Sequence, residues 1–236
     1  MAEKDSNVLR EIFNDLTLPC IKWSHYFDIY ERHFNKFIGK KPVIVEVGIY
    51  QGGSAEMWQK YFGSDATIVG IDINPGVSQY ATDGCIQILG DQGDPKFWEE
   101  FLKQYPQIDI FIDDGSHRVD HQITTLQSVW KNINLGGVYL CEDTHTNYWA
   151  EFGGAYKAPH TFLEYTKQLT DTMNAQYYEG VAKNPNNLML ADFYKEIACM
   201  YYYDSVVVMD KQTKHEPQWV QSDPSLQVSP PWQLRK

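Results

Sequence analysis

Apolar positions recur at helical spacing in two stretches near the start of the chain. Val8, Leu9, Ile12, Phe13 and Leu16 share one face of a short amphipathic helix over 4–18. Tyr26, Phe27, Tyr30, Phe34 and Phe37 share one side of a second, over 24–37, which Gly39 stops. From Pro42 the rhythm changes. PVIVEVG is a continuous β-branched run, too short for a helix and bounded by Pro and Gly, which predicts a buried strand. Further strands are predicted at 67–73, 85–91, 108–115 and 137–143, with helices over 54–61, 97–105 and 119–133 between them. Strands alternating with helices need parallel crossovers, so the expected fold is α/β, an open sheet with helices on both faces. Residues 144–160 read as a long loop rich in aromatics, Gly and His, followed by a helix over 161–177 and the turn-rich NPNN at 184–187. MYYYDSVVVMDK (200–211) predicts two late strands meeting near Asp204, and the four-proline tail from His215 predicts an irregular end. The chain thus divides into an N-terminal helical segment (1–40) packing on the core, a core domain (41–212) and a tail (213–236).

Composition narrows the class. A chain of 236 residues with 43% apolar and 22% charged side chains can build one core without disulfides and is not globally disordered. Its net charge of −11 disfavours nucleic acid or an anionic membrane as partner. No 18-residue apolar run is present, and MAEKDSNVLREIF lacks the apolar centre of a signal peptide. Cys20, Cys85, Cys141 and Cys199 form no CxxC pair, which fits reduced thiols in a cytoplasmic protein.

Ligands in open α/β sheets sit at the C-terminal ends of the strands. The first strand ends in EVGIYQGGS, where Gly48 and Gly52 allow a tight turn with close ligand approach and Ser54 opens a helix N-terminus. The second ends in Asp72, placed to accept both ribose hydroxyls, and the third in Gly90-Asp91-Gln92, polar groups suited to an adenine amine. The glycine spacing is GxxxGG, not GxGxxG, and Glu46 precedes it; a carboxylate there repels a diphosphate but suits a cationic ligand. S-adenosylmethionine is such a ligand. An ordinary strand-to-helix turn is the bland alternative for the glycines alone.

Two further strand ends carry Asp113-Asp114-Gly115-Ser116-His117 and Glu142-Asp143-Thr144-His145. Asp113 is counted with the cofactor side. Asp114, Glu142 and Asp143 converging without a cation would raise one another's pKa, a cost that a hard divalent ion removes, and all-oxygen donors suit Mg²⁺. A divalent ion acidifies a hydroxyl that it binds, and His117, neutral, can take that proton as general base. The bland reading makes Asp114 an Asx cap in a turn and His117 a solvated loop residue. A non-haem iron triad of Asp114, His117 and His145 is a rival that would leave the adenosine-side residues idle.

With these motifs the chain resembles the class I S-adenosylmethionine-dependent methyltransferases: EVGIYQGGS looks like their first motif, Asp72 their ribose acid and GDQGD their adenine-side loop. The resemblance covers about 42–211 and implies a Rossmann-like seven-stranded, mostly parallel sheet with an antiparallel last strand. KWSHYFDIYERHF, DDGSH and GGVYLCEDTHTNYW are similar, more narrowly, to the metal-dependent macrolide-sugar O-methyltransferases of the mycinamicin and macrocin type. That resemblance implies Asp114, Glu142 and Asp143 as metal ligands and His117 as base, without the long N-terminal auxiliary domain of some members. It also extends to proteins described as antibiotic hydroxylases.

Among the aromatics, Trp23, Tyr26, Tyr30, Tyr148, Trp149 and Tyr156 flank the expected pocket and are candidates for stacking on a sugar or sheltering a sulfonium, core packing being the bland alternative; Tyr148 and Trp149, close after the acidic pair, are also candidates for a lid that excludes water. The expected function is Mg²⁺-dependent methyl transfer from S-adenosylmethionine to a hydroxyl of a sugar or glycosylated small molecule. A non-catalytic protein of the same fold and an NAD-linked oxidoreductase stand as alternatives. Homo-oligomeric contact through the N-terminal helices or the tail is left open.

Overall fold

A computed structural model describes residues 7–79, 84–174 and 196–215, with Val220 and Ser222. Two helices come first, α1 (Val8–Asn14) and α2 (Tyr26–Phe34). Then follow β1 (Val43–Val47), α3 (Gly53–Phe62), β2 (Thr67–Asp72), β3 (Cys85–Leu89), α4 (Pro95–Gln104), β4 (Ile108–Asp113) and α5 (Val119–Val129). The chain continues through β5 (Ile133–Cys141), α6 (Phe162–Met173), β6 (Ile197–Tyr203) and β7 (Val206–Lys211).

The strands form one seven-stranded sheet in the order β3-β2-β1-β4-β5-β7-β6. β1 to β5 pair in parallel, and β7 runs antiparallel to both β5 and β6. This is the expected Rossmann-like architecture. β1, β2 and β4 are buried nearly throughout because layers cover both faces, which is why their sequences read as unbroken apolar runs. One layer holds α1, α2 and α3 against Ile44, Ile68, Ile110 and Val208; the other holds α4, α5 and α6 against Val45, Val69, Phe111 and Val207.

α2 has nine residues, too few to be stable alone. Its Tyr30 and Phe34 rings pack on Trp58 of α3 at 5.2 and 5.7 Å between centroids, all three buried. An aromatic ring buries about 150–250 Å², worth roughly 4–6 kcal/mol gross at about 25 cal/mol per Å². Tertiary packing, not propensity, therefore holds α2 on the sheet.

Boundaries shift in places. β5 starts at Ile133, four residues before the expected strand, and α5 stops at Val129 in a 3₁₀ turn. The register of β4 against β5 slips between Ile108 and Ile110, where Gly136 takes a positive φ of 87°. The 144–160 segment carries two 3₁₀ turns instead of featureless loop. The NPNN turn and most of the tail lie outside the described residues. Among the described residues no helix is long and apolar enough to cross a membrane.

Candidate functional site

Strand register sets out the site. Gly48 continues β1 level with Asp72 on one side and Asp114 on the other, and Glu142 follows level with Asp114. The ladder bonds run on past the strands: Gly48 N donates to Ile71 O at 2.8 Å, Asp114 N to Val47 O at 3.0 Å and Glu142 N to Asp113 O at 2.9 Å. Four strand ends thus stand in a rank, and at about 4.8 Å per strand Asp72 and Glu142 lie roughly 14 Å apart. A cleft of about 390 Å³ opens above the rank, lined by Gly48, Ser54, Asp72, Asp114, His117 and Asp143 together with Pro19–Lys22.

At the Asp72 end, both carboxylate oxygens are held by backbone amides, Tyr50 N at 3.1 Å and Asn74 N at 2.9 Å. Each keeps a further lone pair toward the cleft. Gly52 takes a φ of 82° to start α3. Gly48, at a φ of 90°, is closer still to necessity, since a Cβ there would lie 2.0 Å from Asp114 O. Glu46 is fully buried beneath this turn, accepting from Ser54 Oγ at 2.6 Å and Trp58 Nε1 at 3.1 Å.

At the other end, single ligand atoms of Asp114, His117 and Asp143 all lie within 4.8 Å of one another. Glu142 points to a different neighbour. Lys22, from the segment before α2, inserts its ammonium between Asp114 Oδ2 at 2.5 Å and Glu142 Oε2 at 3.0 Å, with Glu46 Oε1 at 3.6 Å. The Asx-cap reading of Asp114 does not hold, because its carboxylate serves an ammonium, not a backbone amide.

α2 then fixes the acidic pair. Tyr30 donates to Glu142 Oε1 at 2.7 Å. Tyr26 donates to Asp143 Oδ1 at 2.6 Å, and Trp23 Nε1 to the same oxygen at 3.1 Å. Burial, then these carboxylates, pushes both tyrosine pKa values upward, so the hydroxyls stay protonated donors. Burial also raises Glu46, Asp114 and Glu142 above the ordinary carboxylate range, with Lys22 opposing it. Three carboxylates, Glu46, Asp114 and Glu142, face one ammonium, and a fourth, Asp143, stands within 4.8 Å of Asp114 without reaching the ammonium. That donor set fits a divalent cation.

His117 sits at a φ of 58° and Asp143 at 52°, and Tyr50 and Ser205 beside them are also left-handed. Such backbone conformations are uncommon outside glycine and cluster at functional sites. His117 O accepts from Thr146 Oγ1 at 2.8 Å, which anchors the turn. Its Nε2 stands 3.6 Å from Asp143 Oδ2 and its buried Nδ1 has no partner, so neither nitrogen is spent on a hydrogen bond.

Several expected residues are placed otherwise. Gln92 and Asp113 are buried and bonded to each other at 2.9 Å, with Gln92 also bonded to Thr125 and Ser116 N, and Asp113 to Tyr139. They support the DDGSH loop from below and do not line the cleft. Asp91 is exposed, closes its own turn through Gly93 N at 2.8 Å and lies outside the cleft lining. Tyr26 is 1% exposed, so it orients Asp143 and does not face an acceptor. Tyr148 and Trp149 are about half exposed; Trp149 packs on His145 at 4.8 Å and on Phe152, which in turn neighbours His117. His145 Nδ1 bonds Ser205 Oγ at 2.5 Å and is absent from the ligand group, against the iron triad. Lys22 has no place in the sequence reading, and Trp23 and Tyr30, expected at the pocket as aromatic faces, act here as hydrogen-bond donors. Their sequence signal is faint: Tyr26 and Tyr30, four apart, share one face of the helix, and a Lys and a Trp stand just ahead of its start.

No protein-family profile matches the chain. The chain is 32% identical over 229 residues to demethylmacrocin O-methyltransferase of Streptomyces fradiae, covering 89% of this chain and 56% of that protein. It is 33% identical over 174 residues to 8-demethyl-8-alpha-L-rhamnosyl tetracenomycin-C 2'-O-methyltransferase of Streptomyces olivaceus, covering 70% and 46%. Among solved structures, the MycE methyltransferase of mycinamycin biosynthesis, in complex with Mg and SAH, superposes with a TM-score of 0.79 at 28% identity, covering 92% of this chain and 58% of that one. A further structure of that protein also contains mycinamycin VI. The chain spans about half the length of the curated relatives it matches. It has the fold of the class I S-adenosylmethionine-dependent methyltransferases and, along most of its own length, resembles the metal-dependent macrolide-sugar O-methyltransferases.

Proposed function

We propose that this protein is a divalent-metal-dependent O-methyltransferase that moves a methyl group from S-adenosylmethionine to a hydroxyl of a sugar or glycosylated small molecule, with His117 as general base. The observation that carries this reading is one cleft joining Gly48, Ser54 and Asp72 to the converging Asp114, His117 and Asp143. The relatives' named activities and the Mg and SAH of MycE support it.

In this reading Asp72 accepts the ribose hydroxyls, and Gly48, whose missing side chain lets the Asp114 backbone close up against it, presents backbone to the cofactor at the cleft. Glu46 sets a negative potential beneath the turn, which favours a cationic ligand. Asp114, Asp143 and the neighbouring Glu142 hold the metal, Mg²⁺ being the expected ion, which supplies Lewis acidity to an acceptor hydroxyl. His117 takes the acceptor's proton at Nε2, its Nδ1 being buried, while Thr146 keeps its backbone in place. Trp149, packed on His145 and Phe152, and the half-exposed Tyr148 offer faces for the acceptor and help exclude water. Four free thiols accord with action in the cytoplasm.

Transfer of labelled methyl from S-adenosylmethionine into a panel of glycosides, with and without EDTA, tests the reading. Activity is expected only with divalent ion present. Full activity in EDTA refutes the metal, and stabilisation of the protein by NAD but not by S-adenosylhomocysteine refutes methyl transfer.

A further inference from the structure

Segment 17–23 crosses the cleft as a strap. At one end Thr17 N, Thr17 Oγ and Leu18 N donate to Glu56 at 2.9–3.1 Å, and Pro19 O lies where a Cβ on Gly53 would stand. At the other end Trp23 Nε1 reaches Asp143. Between these anchors, residues 19–22 make no backbone hydrogen bond among the described residues, and Ile21 is 83% exposed. Pro19 and Cys20 rest against Gly53, and the polar contacts of residues 19–22 come from the Lys22 side chain, 2% exposed, bonded to Asp114 and Glu142.

Those carboxylates are the ones the proposed metal requires. An oxygen about 2.1 Å from a magnesium ion that also kept Lys22 at 2.5 Å would leave two cations no more than about 4.6 Å apart with little solvent between them. Glu142, held by Lys22 and Tyr30, is also the one acidic side chain of the set turned out of the ligand group.

We propose that Lys22 is a resident counter-cation that a divalent ion displaces, and that its departure frees Glu142 to join Asp114 and Asp143 and releases the strap at residues 19–22 from the cleft. The inference rests on the metal reading above and deepens it: loading of the ion and opening of the cofactor's wall become one event. Lys22 acts here as a positioning residue, since its effect passes through the carboxylates.

Cys20 lies within the strap and reports on it. Burial holds its thiol pKa up to about 12, and its Cβ lies against Gly53. In the full chain at fixed pH, alkylation of Cys20 by iodoacetamide, followed peptide by peptide with mass spectrometry, is expected to quicken at least fivefold on saturation with magnesium chloride. Cys85 and Cys199 serve as internal references and keep their rates. Lys22→Met is expected to label fast with or without magnesium and to bind the ion at least tenfold more tightly by calorimetry. Lys22→Gln, which keeps a polar group among the carboxylates, provides the same comparison if the Met variant does not fold. Binding of magnesium to the unaltered chain with no rise in Cys20 labelling overturns the displacement and leaves the metal reading standing. Absence of magnesium binding in both the unaltered chain and the Lys22 variants overturns both together.

Discussion

Replacing Tyr26 by Phe removes a single oxygen at a buried point and separates two roles for that residue. The hydroxyl donates to Asp143 Oδ1 at 2.6 Å, accepts from Asp143 N at 3.2 Å and neighbours Ser205 Oγ at 3.0 Å. A hydrogen bond to a charged acceptor contributes about 1.5–3 kcal/mol net. For a chain of this size each kcal/mol shifts the melting midpoint by about 2–4 °C, so Tyr26→Phe is expected to melt roughly 3–12 °C lower. Loss of an outer partner of a metal-binding carboxylate also weakens metal affinity about 10–100-fold. Thermal unfolding without metal gives the first number and calorimetric titration with magnesium the second. If magnesium affinity is unchanged and the acceptor KM rises instead, Tyr26 touches the acceptor and the positioning argument is wrong.

His117→Asn retains a residue that tolerates a left-handed backbone, so its melting midpoint is expected within about 2 °C of the unaltered protein while methyl transfer falls roughly 10²–10⁴-fold; equal loss of stability would show a structural role instead. Gly48→Ala forces a Cβ to 2.0 Å from Asp114 O at a φ of 90°, and it is expected to lower stability by more than about 2 kcal/mol in urea unfolding and to abolish binding of S-adenosylhomocysteine. His33 is buried against Tyr203, and desolvation lowers its pKa below the ordinary 6.5. At this side chain the unfolded chain therefore binds more protons just below pH 6.5, so its contribution to stability falls as pH drops through that window, while the raised buried carboxylates act the opposite way; His33→Gln should lose that contribution, read as the difference between its urea midpoints and those of the unaltered protein from pH 7.5 to 5.

The sheet was legible because its strands are buried on both faces and announce themselves as β-branched runs between glycines and prolines. The rank of strand ends was legible for the same reason, since parallel register fixes which residues stand level. Gln92 and Asp113 misled because a polar residue at a strand end looks the same whether it faces the cleft or satisfies a neighbour beneath it; only Thr125 and Tyr139, from α5 and β5, decide the matter. Lys22 and Tyr30 escaped in these roles for a related reason. Their partners lie 92–120 residues away, and a tyrosine on an amphipathic helix reads as a face, for packing or for a sugar, until the position of its hydroxyl is known. Distance along the chain hid them, not any oddity of composition.

The contact between Gly48 and the Asp114 peptide has a thermodynamic corollary. With no atom of slack between those two backbones, a molecule that presses on the first loop also moves the second. Donor and ion should then bind cooperatively, each changing the other's affinity by the same factor.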